Sequence, residues 1–201
     1  MLSEETLLEL EAEGMTPERA QEAPLEQVLD AASRLRASHP ARAAELFLVA
    51  SRRDTPARAP IHRTDAAIAL HEAGRTTEAR QLLEAALSVD WATAELWRDS
   101  VHVDWASTLL LEQAHAAKDS AAFDALWAHA LALGRQLQRP FPANWLNQER
   151  LLTLLLERGD GARASHVATR IEASRAYLPR KLAAQVLQAR TLARQQAVLP
   201  S

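Results

Sequence analysis

The sequence predicts an all-α protein built as a row of helical hairpins, and three observations predict it. The first is composition. Of 201 residues, 42 are Ala and 32 are Leu, whereas Val, Ile and Thr together supply only 22, and such a shortage of β-branched residues disfavours sheet and favours helix. The second is punctuation: the five Gly and nine Pro fall where helices should start or stop. The third is the length of the breaks, mostly about two to five residues, which makes consecutive helices antiparallel neighbours.

Each element follows from its boundary residues. Ser3 caps a first helix whose opening Glu4 and Glu5 favour the macrodipole, and Gly14 ends it. Thr16-Pro17-Glu18 places a cap, a proline at the first helical position and an acid in order, so a short second helix follows. Pro24 opens a third segment that His39-Pro40 breaks. Thr55-Pro56 and Ala59-Pro60 make a connector, Gly74 stops the next helix, and Thr76 or Thr77 caps its successor. A long helix is expected from about Ala92 to Ala117. Asp119 or Ser120 caps another, and Pro140-Phe141-Pro142 ends that one. Gly159-Asp160-Gly161 is a tight turn, and Pro179 starts a last helix that ends before Pro200.

Composition also excludes whole classes of chemistry. With no cysteine, disulfides, thiolate metal sites and cysteine nucleophiles are ruled out. No apolar run reaches the roughly 18 residues of a membrane span, and the acidic start is not expected to act as a signal peptide. The expected location is the cytoplasm, with no membrane partner. The net charge of −3 hides four blocks: residues 1–30 carry −8, 31–64 carry +5, 65–157 carry −6 and 158–201 carry +6. Solvated helix faces account for such blocks in the simplest case. Their alternative use is to meet phosphate or the opposite block of a second copy.

Beneath the hairpins lies a repeat. Around His39 stand Ala31, Ala32 and Leu35 before the turn, then Ala44, Leu48, Ser51 and Pro56 after it. Around Gly74, at matching offsets, stand Ala66, Ala67 and Leu70, then Ala79, Leu83, Ala86 and Trp91. Small residues recur where two helices must touch closely, and Leu recurs where space between hairpins must be filled. With its turn glycine and its alternation of small and large residues, the stretch from Ala69 to Leu87 resembles the tetratricopeptide repeat, a helix–turn–helix unit of about 34 residues. The match covers residues 25–93 well and 94–178 in part. Val28 and Arg63 stand where that family has a large aromatic, and Leu35 or Leu70 replaces its tyrosine.

The resemblance implies a right-handed α-α superhelix of about four hairpins. An acidic helical segment (1–24) would precede the repeat domain (25–178), and a basic amphipathic helix and tail (179–201) would follow it. A non-repeat helical bundle is the alternative. The resemblance further implies partner binding on a concave face made by the first helix of each hairpin, carried here by Thr64, Ile68 and His71. The Lys and Asn residues with which some family members clamp a C-terminal carboxylate are missing from these positions.

All five tryptophans fall between 91 and 145. Trp97, Val101, Trp105 and Leu109 are successive i, i+4 neighbours and share one helix face. They serve either as filler for a core otherwise rich in Ala or as an aromatic groove for a partner's helix or peptide. Arg63, Arg98, His102 and Trp105 join the candidate binding residues. On the last helix Arg180, Arg190 and Arg194 share a quadrant and are candidate phosphate-facing residues, as are the arginines crowded between 34 and 63.

Catalytic constellations are thin. Glu112 with His115 has the i, i+3 spacing of di-iron bundles, but the nearest second pair, Asp99 with His102, lies on the same predicted helix. HExxH, glycine-rich phosphate and GxSxG motifs are all absent. The sequence therefore reads as a non-enzymatic scaffold with no cofactor and no metal, holding another protein. Alternatives are a nucleic-acid-associated protein using its arginines, a small-ligand-sensing helical domain, and self-association through opposed charge blocks.

Overall fold

Caps and turns decide where each helix begins and ends. The computed structural model describes residues 4–89 and 101–198, and among them every regular element is an α-helix. In chain order these are α1 (Glu4–Gly14), α2 (Pro17–Glu22), α3 (Leu25–Leu35), α4 (Pro40–Arg53), α5 (Ala59–Glu72) and α6 (Thr76–Leu87). There follow α7 (His102–Ala116), α8 (Ser120–Gln136), α9 (Trp145–Glu157), α10 (Gly161–Ser174) and α11 (Arg180–Val198). Trp91, Trp97, Arg98 and the expected start of the long helix lie outside the described residues.

Thr16 caps α2 by accepting from the Arg19 N–H at 3.3 Å, with Pro17 at the first helical position. Asp119 caps α8 and Asp160 caps α10. Asn144 caps α9 by accepting from the Leu146 and Asn147 N–H groups. Each side chain satisfies a donor that the first helical turn leaves unpaired. The cap expected at Thr76 or Thr77 is absent. Gly74 turns the chain so that Arg75 takes the cap position, and Arg75 instead pairs with Glu78 one turn on, at 2.6 and 2.7 Å.

Three helices end in the same turn. Gly74, Lys118 and Gly159 each adopt positive φ, at 78°, 56° and 68°. In each case the next residue's N–H reaches back five residues to a carbonyl: Arg75 to Leu70, Asp119 to Ala114 and Asp160 to Leu155, at 2.8–3.0 Å. The left-handed residue's own N–H reaches back three residues. This is the Schellman arrangement, which satisfies carbonyls that the helix end would leave bare. The α3–α4 turn differs because Pro40 disfavours a helical His39. His39 sits at φ −136°, ψ 62°, and its N–H returns to Leu35 at 2.7 Å.

Burial repeats with the turns. Before them, Ala66, Ala67 and Leu70 in α5 correspond to Leu110, Leu111 and Ala114 in α7, and to Leu151, Leu152 and Leu155 in α9; all are buried. After them, Ala79, Leu83 and Ala86 in α6 correspond to Phe123, Trp127 and Ala130 in α8, and to Ala164, Ala168 and Ile171 in α10; these too are buried. Of the residues that define the repeat in the sequence, Leu48 is half-buried and Pro56 exposed. The chain is thus an all-α protein with helices in repeating hairpin-like packing.

Two compact units divide it, Met1–Gln113 and Ala114–Ser201. In the first, α3, α4, α5 and α6 pack in sequence, while α1 packs on α3 and α2 on α4. Arginine fastens those first two helices. Arg19 donates to Gly14 O at 2.6 Å, Arg42 to the carbonyls of Glu13 and Met15, and Arg53 to Ala20 O. Cations thereby meet the carbonyl ends of helices, where the macrodipole favours them. In the second unit α9, α10 and α11 pack mutually. No helix among the described residues is long and apolar enough to cross a membrane.

A buried pair fixes the α4–α5 connector. His62 Nε2 lies 2.7 Å from an Asp54 carboxylate oxygen, with side chains 9% and 8% exposed, and the Thr55 N–H donates to the same carboxylate. Burial alone would raise the Asp54 pKa, but the His62 and Thr55 hydrogen bonds outweigh it and hold the carboxyl below its ordinary value. A depressed carboxyl contributes stability above its unfolded pKa, near about 4, and loses it as pH falls through the folded value.

Lys118→Gly should raise stability by about 0.5–1 kcal/mol and Gly159→Ala lower it by about 1–2 kcal/mol in urea denaturation, because only backbone strain changes; a Cβ at Gly159 would meet nothing within 4 Å. Asp54→Ala should cost about 1–3 kcal/mol at neutral pH by orphaning His62. Its stability should then fall less steeply than the wild type's between about pH 5 and pH 2 in acid titration followed by circular dichroism.

Candidate functional site

The face of α5 carries several of the candidates that the sequence offers. Thr64 and Ile68 are buried, which removes them from any open surface. The Thr64 hydroxyl needs no outside partner, since it donates to Pro60 O at 3.0 Å within its own helix. Arg63 and His71 are half-buried, and His71 Nδ1 is buried without a hydrogen-bond partner. Trp105 and His102 on α7 are half-buried as well.

What the fold does bring together lies on the neighbouring stripe of α5. Asp65 receives His102 Nε2 at 3.1 Å, tying α5 to α7. Glu72 takes both arms of the Arg36 guanidinium at 2.7 and 2.9 Å, tying α5 to the end of α3. Those hydrogen bonds raise the Arg36 pKa, the bond to the Glu72 carboxylate being the main cause. Both members of the Arg36–Glu72 pair are more than a third exposed, so the pair sets register and contributes only about 0–1 kcal/mol. The first helices of successive hairpins are therefore fastened edge to edge. Sequence reasoning misses Asp65 and Glu72 and counts Arg36 only among the arginines offered to phosphate; the available signal is an opposite charge recurring about one repeat later.

The basic stretch is largely engaged inside the protein. Arg34 pairs with Asp30 at 2.8 Å, and Arg36, Arg42 and Arg53 hold the contacts already described. On α11, Arg180 and Arg194 are exposed, whereas Arg190 is half-buried and engaged within the protein. It donates to Ser165 Oγ at 2.8 Å and to Glu172 at 2.6 Å. The reason is the close approach of α11 to the start of α10. Gln196 accepts from the Gly161 N–H at 2.9 Å and donates to Gly159 O at 2.7 Å, and a Cβ on Gly161 would sit 2.7 Å from Ala193 N. The quadrant shared by the three arginines is thus partly a packing face.

Of the tryptophans described, Trp127 is core. Its ring meets Phe141 edge-on at 5.7 Å and His166 at 6.0 Å. Trp145 is the opposite case, 52% exposed at the first position of α9, with Leu146 beside it and Tyr177 80% exposed beyond α10. Arg175 sets its guanidinium 5.2 Å from the Trp145 ring and binds Glu149 at 2.7 Å. This aromatic–arginine patch is absent from the sequence reading, although the Pro142-Ala143-Asn144 run marks the helix start that exposes Trp145. Asp99 lies outside the described residues, and among those described no group of three or more His, Asp or Glu could hold a metal ion.

Compared with protein-family models, curated proteins and solved structures, the chain has no match.

Gly161→Ala should destabilise the second unit by about 1–3 kcal/mol, because α11 backbone has no room to yield. The check is thermal unfolding of the full chain, with the far-ultraviolet spectrum at low temperature unchanged.

Proposed function

We propose that this chain is a non-catalytic scaffold that holds a partner protein on a row of helical hairpins of the tetratricopeptide kind, wound as a right-handed superhelix. The repeated turn and the repeated burial pattern support that architecture. The turns at 74, 118 and 159 are spaced wider than the roughly 34 residues of that family, a departure from its repeat length, and because Thr64, Ile68 and His71 are not its Lys and Asn residues its carboxylate-clamping activity is not carried over. One observation carries the interaction role: the exposed Trp145, with the Arg175 guanidinium against its ring and Tyr177 two residues further on. Trp, Tyr and Arg dominate interface hot spots, and their large surfaces are costly to leave in water without a partner.

The half-buried Arg63, His71, His102 and Trp105 are further candidate binding residues. Arg34, Arg36, Arg42, Arg53 and Arg190 are engaged within the chain, so a nucleic-acid or self-association face would rest on the exposed Arg52, Arg58, Arg180 and Arg194.

Affinity capture from the native host tests the reading. The full chain should retain a partner protein after nuclease treatment, and Trp145→Ala combined with Tyr177→Ala should lose it with circular dichroism unchanged. Retention by that variant, or loss on nuclease treatment alone, would contradict the proposal.

A further inference from the structure

Two surfaces of opposite charge stand at the two ends of the chain. α1 packs on α3, yet the two helices leave between them an open groove of about 850 Å³. Leu8, Met15 and Ala31 give it an apolar floor, the last two being buried. Its rims are acidic: Glu11 stands on α1, Glu26 and Asp30 on α3, and all three are exposed. Arg19 is the one cation among the lining residues, and it donates to Gly14 O at 2.6 Å. Asp30 shares Arg34, while Glu11 and Glu26 form no ion pair among the described residues. Nor could any group of three or more acids or histidines among those residues hold a metal ion. Cationic side chains carried on an apolar body therefore suit the groove better than a bare cation.

α11 is such a body. Its 19 residues include Arg180, Lys181, Arg190 and Arg194 and no acid. Leu182, Val186 and Ala189 face inward, whereas Arg180, Ala184, Leu187, Thr191, Arg194 and Val198 are all exposed. At 3.6 residues per turn those six fall within about 80° of the helix circumference, so they form one stripe. The stripe carries cations at 180 and 194 and aliphatic side chains at 184, 187 and 198. Leu187 is 66% exposed and Val198 80%.

A helix laid by its apolar stripe into a groove is a recurrent mode of recognition, and opposite charge selects the partner and its orientation. The charge balance points to a second copy as the source of that helix. Residues 1–30 carry −8 and residues 158–201 carry +6, so each copy holds both halves of the contact. Groove and stripe are different patches, which makes the contact heterologous: it extends into a chain of copies or closes into a ring.

We propose that this protein associates head to tail, with α11 of one copy seated in the α1–α3 groove of the next. Leu187 lies on the apolar floor, and Arg180 and Arg194 reach the carboxylates of the rims. The contact uses none of the residues of the aromatic–arginine patch and does not rest on the scaffold reading.

Sedimentation velocity of the full chain over a range of concentrations tests it. At low salt the average mass should grow with concentration, and high salt should weaken association about tenfold or more, because exposed charge pairs are screened. Glu11→Arg with Glu26→Arg should leave a monomer, and so should Arg180→Glu with Arg194→Glu; all four positions are exposed, and circular dichroism should be unchanged. Mixing these two doubly substituted proteins should restore association, since each groove then finds a helix of opposite charge. Arg52→Glu on α4 should leave association as in the wild type. A monomer at every concentration in low salt would overturn the proposal. So would undiminished association in either double variant, a mixture that stays monomeric, or loss of association in Arg52→Glu.

Discussion

The carbonyls that a helix leaves unpaired at its C-terminal end are the constraint on which this structure depends. A chain of eleven helices among its described residues meets that requirement repeatedly and with few glycines. It has two solutions. At Gly74, Lys118, Gln138 and Gly159 the backbone folds back on itself in the left-handed conformation and supplies its own N–H donors. At the ends of α1 and α2 the donors are guanidiniums from residues distant in sequence, Arg42 and Arg53.

Each solution has a structural consequence. At Gly74, Lys118 and Gly159 the backbone solution fixes the turn, because it pins the end of one helix with three residues left before the start of the next. The positions that face inward on either side of the turn then repeat, and they accept Ala in one hairpin and Leu, Phe or Trp in another. The arginine solution fastens an acidic segment to a hairpin without pairing charge against charge. At α8 the fold-back at Gln138 brings Arg139 to the same cavity as Arg135 at the helix end.

Much of this was legible in the sequence. The turns at Gly74, Lys118-Asp119 and Gly159-Asp160 announce themselves through glycine and capping aspartates, and the alternation of Ala and Leu around His39 and Gly74 marks the core positions. The open face of α5 was not legible. That helix is buried at Pro60, His62, Thr64 and from Ala66 through Leu70, nearly all round, so hydrophobic periodicity carries no direction. Thr64 looks like a surface residue in the sequence but satisfies its hydroxyl inside the helix. The roles of Arg36, Arg42, Arg53 and Arg190 depend on partners 18–36 residues away, and local spacing cannot register such contacts. Trp145 is one of five tryptophans between 91 and 145 and has no i, i+4 aromatic partner to mark it in the sequence, whereas its capping neighbour Asn144 sets it at an exposed helix start.

Amide hydrogen exchange on the full chain, read residue by residue by NMR, tests the central claim most directly. The account predicts slow exchange at Arg75, Asp119, Arg139 and Asp160, whose N–H groups close the four turns, with chemical shifts of left-handed backbone at the preceding residue in each case. Fast exchange at Asp119 and Asp160 with helical or extended shifts at Lys118 and Gly159 would contradict it, because the hairpins would then lack the closure from which their order follows.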